Sequence, residues 1–174
     1  AEEDEPDGLI CNGDFEDWTD GLPDCWYGDK SNIGTANVVQ YDANPYTGQY
    51  AAQLINPSDG HNRFTSQATS VEAGETYQIT FFVKGQGEIR TGLFDDRDTG
   101  FGYAPYNAYI NVNSDNWTEY SQTIVAANSS DIAEFIFSLR NTVEGMGHIL
   151  LDHVTVEIYE GEPDEVDNIA ELRD

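Results

Sequence analysis

Apolar and polar residues in this chain alternate with a period of two far more often than they recur with the helical period. Short segments rich in Val, Ile, Thr, Phe and Tyr are separated by Gly, Asn, Asp and Pro, the punctuation of strands and turns. The pattern predicts nine strands, over residues 35–41, 50–55, 63–71, 76–84, 88–94, 106–111, 117–126, 134–140 and 148–159. In 76–84 the set Tyr77, Ile79, Phe81 and Val83 is wholly apolar and is expected to face a core. Alternation then sends Gln78, Thr80, Phe82 and Lys84 outward. In 134–140 the same logic turns Phe135, Phe137 and Leu139 inward and leaves Ser138 and Arg140 on the outer face. Many short strands at this spacing make an all-β fold, an antiparallel jelly-roll β-sandwich rather than a closed barrel. There is no internal repeat.

A length of 174 residues fits one such domain. Charge narrows what it can bind. With 33 acidic residues against 7 Lys plus Arg, the formal charge is −26, which excludes nucleic acid as a partner. Residues 8–159 alone carry 21 acids and six bases, a net −15. A field of that sign repels anionic surfaces and anionic polysaccharides unless a cation or a local arginine cluster outweighs it. Acids crowd both ends, so 1–7 and 161–174 read as solvated acidic linkers around a folded module at 8–160. No apolar run approaches the length of a membrane span, so no membrane insertion is expected. No signal peptide is present, and the chain reads as a mature or excised segment. Cys11 and Cys25 either close a loop as a disulfide, conditional on export, or stand as two buried free thiols.

Several elements are familiar in their order. They are Leu9-Ile10-Cys11-Asn12-Gly13-Asp14-Phe15-Glu16, then Gly21-Leu22-Pro23-Asp24-Cys25-Trp26, then Thr47-Gly48-Gln49-Tyr50-Ala51-Ala52-Gln53-Leu54. Val71-Glu72-Ala73-Gly74-Glu75-Thr76-Tyr77, Phe81-Phe82-Val83-Lys84 and Trp117-Thr118-Glu119-Tyr120 follow, and Ile149-Leu150-Leu151-Asp152-His153-Val154-Thr155-Val156 closes the series. Together they resemble the carbohydrate-binding modules of the family 4, 16 and 22 type, which are galactose-binding-like jelly rolls. The resemblance spans about residues 8–159. It implies a non-catalytic, monomeric module within a larger chain, extracellular or at the cell surface, anchoring an enzyme or surface protein to a polysaccharide. It also implies a structural calcium held by Glu16 and Asp152, with backbone carbonyls near Thr47 and Tyr50 completing the shell. Such oxygen donors are what calcium requires. Two departures stand out. The acid that usually follows Asp152 is His153, which alternation would place across the strand. The tryptophan that several relatives carry on or just after the strand matching 135–140 is replaced by Leu139, Arg140 and Asn141.

Recognition of a pyranose needs flat aromatic platforms for its C–H face and a few directed polar groups for its hydroxyls. Trp18, in a polar loop, and Trp26, beside Cys25, are candidate platforms, whereas Trp117 is expected in the core. The glycine-rich stretch 98–109 holds four aromatics, of which Tyr103 and Tyr106 are the favoured platforms. Arg63, Arg90 and Arg140 lie in predicted strands and are placed to direct hydroxyls or, equally, to pair with acids. The expected ligand is a neutral β-glucan, xylan or mannan, bound weakly for want of the second tryptophan. The alternative is a structural or adhesive sandwich of a surface protein with no sugar site. Catalysis is not expected. His148 and Asp152 share a strand face without a nucleophile motif, and Glu88 with Asp95, Asp96 and Asp98 is an acid cluster of the kind a chain this acidic forms by chance.

Overall fold

The computed structural model describes residues 9–161; the acidic linkers expected at the two ends fall almost wholly outside the described residues. A two-residue ladder, β1 (Trp18–Thr19) with β2 (Leu22–Pro23), precedes the main strands. These are β3 (Val38–Tyr41), β4 (Ala51–Leu54), β5 (Asn62–Thr65), β6 (Thr69–Val71), β7 (Thr76–Phe94), β8 (Ile110–Val125), β9 (Ser130–Arg140) and β10 (Ile149–Ile158). All pairings are antiparallel, and β7 and β8 are long strands shared between two layers. In the first layer β3, β4 and β10 lead to the first half of β7, which pairs with the second half of β8. In the second layer β5 and β6 flank β9, which pairs with the second half of β7 from Glu88 to Phe94.

The two predicted strands 76–84 and 88–94 are therefore one strand that turns a corner. The ladder with β8 shifts register between Val83 and Gly85, and Gly85 has φ +110°, a conformation that favours glycine. A Cβ at Gly85 would lie 2.0 Å from the carbonyl oxygen of His148, so no other residue fits the corner. Past it the chain folds back over its own first half. Asp95 at its far end accepts a hydrogen bond from the amide of Ala127 at 2.8 Å, close to Val125, the partner of Thr76.

The core lies between the layers. Tyr77, Ile79, Phe81 and Val83 are each no more than 2 % exposed, and Phe135, Phe137 and Leu139 meet them from the other side. Phe81 packs edge-on to Phe137 with centroids 5.1 Å apart. Trp26 lies in the same core, 1 % exposed and stacked on Phe64 at 5.2 Å. Cys11 and Cys25 are joined in a disulfide, with Cα atoms 5.9 Å apart.

Four expectations change. The predicted strand 63–71 is broken into β5 and β6, and 106–111 begins only at Ile110, because residues before it follow the edge of β7 as irregular chain. Lys84 alternates outward as expected but is only 7 % exposed, because Trp117 covers it. Trp117 itself is half-buried on that outer face, not in the core; its indole N–H donates to the Asn44 carbonyl at 3.0 Å, where a loop crosses the sheet.

Opening the disulfide frees a loop of 14 residues of sequence separation in the unfolded chain. By loop entropy this is expected to lower stability by about 3 kcal/mol. Denaturant titration with and without reductant checks it; superimposable curves would show that the bond contributes nothing.

Candidate functional site

On the second layer, Phe64, Phe137 and Leu139 point inward, so the alternate residues of β5, β9 and β7 form an outer face. The ladder register puts Arg63 of β5, Ser138 of β9 and Arg90 of β7 in one row across three strands. The next outward residue along β9 is Arg140, paired in register with Glu88. Arg63, Arg90 and Arg140, separate in sequence, thus share one face.

The stretch 98–109 builds the aromatic side of this face. After a 3-10 turn at Gly100–Gly102 it runs back along β7, with the Ala104 amide on the Leu93 carbonyl and the Asn107 amide on that of Thr91. This lays its tyrosines over the sheet. Tyr106 lies on Gly92, where a Cβ would come within 2.6 Å of the ring, so the bare backbone makes room for it. The guanidinium of Arg90 sits between Tyr106 and Tyr109, 4.2 and 4.1 Å from their centroids. Arg140 lies 4.0 Å from Tyr109, and Arg63 lies 5.1 Å from Tyr103. Such contacts fix planar cations against planar rings at about 0.5–1 kcal/mol each at half-exposed positions. Phe101, at the tip of the turn, is 98 % exposed with a left-handed φ of 56°. No packing accounts for so open a phenyl ring.

The polar groups are oriented closely. Ser138, fully buried, accepts from Arg90 Nε at 3.1 Å and shares a hydrogen bond of 2.8 Å with Nδ1 of His61. His61 also meets Tyr106 edge-on at 5.5 Å. Burial, then the charges of Arg90, Arg63 and Arg140, hold the His61 imidazole below its ordinary value of 6.5. Glu88 is held below the usual carboxylate range by its hydrogen bond to Arg140, helped by Asn141. Burial pushes the Tyr106 phenol up, partly countered by Arg63. Arg63 donates through Nε to the Lys30 carbonyl at 2.7 Å. The carboxylate of Glu134, in the same outward row set, is taken up by the amides of Asp29 and Lys30 and the hydroxyl of Thr65.

Of the residues singled out in the sequence, Arg63, Arg90, Tyr103, Tyr106 and Arg140 are brought together here. Trp26 is not: it is a core residue, its N–H spent on the Asn12 carbonyl at 3.1 Å, and it has no surface to offer a ligand. Trp18 is half-buried against the core beside the disulfide and donates to the Phe15 carbonyl. Sequence reasoning missed His61, Tyr109 and Lys30, whose ammonium lies 4.2 Å from the Phe94 ring centroid. Only the strand register and the returning loop bring them in. Glu88 does not join the acids at Asp95, Asp96 and Asp98. Glu88 and Asp95 lie at opposite ends of the second half of β7, some ~20 Å apart by strand rise, too far for a glycosidase pair. Asp95 is buried, which raises its pKa, but the bonds to Arg97 and the Ala127 amide outweigh this and lower it. His148 bonds Thr142 at 2.9 Å.

The residues expected to hold calcium meet at the other layer. Asn12 organises the first turn, its Oδ1 accepting from the amides of Glu16 and Asp17 at 3.0 Å. The Glu16 carboxylate then reaches the loop before β4, where it accepts from the amides of Gln49 and Tyr50 at 2.9 and 3.1 Å. Asp152 of β10, fully buried, accepts from the amides of Tyr46 and Thr47 at 2.9 and 3.0 Å. The loop thus turns N–H groups toward the carboxylates where carbonyls were expected. Even so, the donor chemistry fits a hard cation. The Asp152 carboxyl is driven up to about 7 by burial, with the Glu16 charge adding to the rise, and the buried hydroxyl of Thr47 has no partner. Beyond this pair, no group of three His, Cys, Asp or Glu among the described residues converges on one point. His153 does not cross the strand as alternation suggested. It occupies a bulge with φ 53°, and its ring lies 5.8 Å from Tyr46 and 5.7 Å from the outward Phe82.

A jelly roll carrying an aromatic and guanidinium-lined sheet face is the architecture of a glycan-binding module. The chain belongs to the family described as carbohydrate binding domain, whose model matches residues 7–143, and it is a module of the family 4, 16 and 22 type. Similar solved structures agree on the fold. The CBM22-1 xylan-binding domain of Xyn10C from Paenibacillus barcinonensis superposes with a TM-score of 0.58 at 15 % identity, covering 86 % of this chain and 94 % of that one. A family 16 carbohydrate-binding module gives 0.57 at 16 % identity, over 86 % and 99 %. An arabinose-bound α-L-arabinofuranosidase gives 0.64 at 17 % identity over 86 % of this chain, which spans only 26 % of that enzyme. No curated protein matches in sequence.

Because the folded His61 titrates below 6.5, the unfolded chain takes up its proton first as pH falls. Stability present above 6.5 is therefore expected to be lost as pH drops through the lowered folded value. The C–H resonances of His61 followed by NMR from pH 8 to 4.5 check this. A midpoint at or above 6.5 would contradict the three-arginine environment.

Proposed function

We propose that this module holds a secreted enzyme or a cell-surface protein on a polysaccharide with a neutral β-linked backbone, a glucan, xylan or mannan, without cleaving it. The observation that carries the reading is the outer face of β5, β9 and the second half of β7, where tyrosine rings and arginine forks are fixed side by side. Rings stack on sugar C–H faces, and the forks donate to vicinal hydroxyls. Phe101, 98 % exposed at the tip of the turn that opens this stretch, adds a further aromatic platform. The names of several structural neighbours, xylan-binding domains, favour xylan among these backbones. Binding is weak, because arginines already occupy ring faces and no tryptophan replaces them.

We further assign Glu16, Asp152 and the 47–50 loop, with Thr47 and Tyr50, to a structural calcium. It would neutralise two converging carboxylates and tie the N-terminal turn to the last strand. Its role is in stability, since its residues are distinct from those of the sugar face.

Two outcomes follow. Phe101→Ala and Tyr103→Ala should each weaken retention on an affinity gel by several-fold, about 1 kcal/mol for one stacked ring, with little change in melting temperature. Trp26→Ala should instead cost about 3–5 kcal/mol of stability. If the parent is retained by none of a broad glycan panel, the adhesive-sandwich alternative takes the place of this reading. For the metal, saturating calcium should raise the melting midpoint over EDTA, by about 2.7 kcal/mol at a hundredfold excess over Kd. Asp152→Asn should abolish the difference, and identical midpoints in the parent would remove calcium from the account.

A further inference from the structure

Four of the seven Lys and Arg residues of this strongly acidic chain stand on one sheet face: Lys30, Arg63, Arg90 and Arg140. Among the described residues the acids of this face form an ion pair with only one of the four. Arg140 is paired with Glu88. Glu134 is consumed by two backbone amides and Thr65. Among the described residues neither Arg63 nor Arg90 has an ion-pair partner: Arg63 bonds the Lys30 carbonyl and the Tyr106 side chain, and Arg90 bonds a serine hydroxyl. They flank Ser138 in a single cross-strand row, two strand spacings or about 10 Å apart. Like charges set in one row destabilise a sheet. A chain with 33 acids had every opportunity to neutralise them. Stacking on Tyr103, Tyr106 and Tyr109 instead holds both guanidinium groups in place, and each spends only part of its five N–H donors on the protein.

We infer that Arg63 and Arg90, set on either side of the buried Ser138, form a subsite for the carboxylate of a uronic acid, carried as a substituent or an interspersed residue on the polysaccharide. This rests on the carbohydrate-binding reading above and specifies the ligand further. A planar carboxylate matches the guanidinium fork in a way a hydroxyl pair does not, and the charge-assisted bonds are about twice as strong. The net charge of the molecule does not forbid it. At 0.1 M salt the Debye length is about 10 Å, so acids elsewhere on the surface are largely screened while the two nearest arginines are not. The half-exposed rings of Tyr103, Tyr106 and Tyr109 would supply the apolar wall for the sugar itself.

The test is affinity electrophoresis and calorimetry of the whole chain with glucuronoxylan and with the same polymer after carboxyl reduction. The acidic form should bind about tenfold more tightly at 0.1 M salt, and the ratio should shrink toward one at 1 M. Arg63→Gln and Arg90→Gln should each reduce the ratio, and the double variant should collapse it, with melting curves confirming the fold. Should Arg90→Gln unfold, the polymer pair and the salt series on the parent decide the matter alone. Equal affinity for both forms, or binding confined to another neutral backbone, overturns the inference and leaves carbohydrate binding intact. Retention on no glycan overturns both.

Discussion

One strand, β7, runs through both layers of the sandwich, and the site exists because of where it bends. Gly85 and Gly87, both at positive φ, carry the chain from the first layer into the second. The ladder to β8 persists on both sides of the bend while the other neighbour changes from β10 to β9. Glu88 and Arg90 are the first outward residues after the corner, so the bend sets which residues of β9 they meet. A one-residue slip there would turn Arg90 into the core and bring Ile89 to the surface. The salt bridge to Arg140 and the row through Ser138 would be lost together. The corner thus determines the register of the binding face as well as the closure of the fold.

Much of this was legible in the sequence because it depends on alternation. The inward sets of 76–84 and 134–140 are a local property of the chain, and they predicted buried residues on both layers. Arg63, Arg90 and Arg140 could be placed outward for the same reason. What alternation does not carry is what covers an outward residue. Phe82 looked exposed, yet Tyr46 stacks on it at 3.8 Å from a loop more than thirty residues earlier in the chain. Trp117 and Lys84 cover one another on the same face. Trp18 and Trp26 illustrate the converse. Both sit in polar, turn-rich sequence that suggests exposure, but the disulfide and the bonds of Asn12 fold that segment onto the core. His153 escaped because a bulge breaks the period on which the reasoning depended.

The two candidate regions lie on different layers. The first layer gathers Glu16 and Asp152 against one loop, where among the described residues no ion pair meets either carboxyl group and burial raises that of Asp152. The second gathers arginines where positive charge has too few acids. Either region alone would be unusual in a chain whose charges were distributed only for solubility. Together they show charge separated by the fold rather than by the sequence, since Arg63, Arg90 and Arg140 come from three different strands.

That separation decides how an acidic protein approaches its ligand. At long range and low salt the net charge opposes an anionic polymer and leaves a neutral one indifferent. Within a Debye length of the second layer the arginines count for more, because Arg63 and Arg90 are near while Glu88 is paired with Arg140. His61 adds no positive charge to this face. Kept neutral by burial and by its arginine neighbours, it shares its ring nitrogen with Ser138 and does not compete for an incoming anion. Protonating it would place a third positive group beside the two unpaired arginines. The face would then be less stable when empty and more attractive when an anion is present, so ligand charge and His61 protonation are linked through one cluster of side chains.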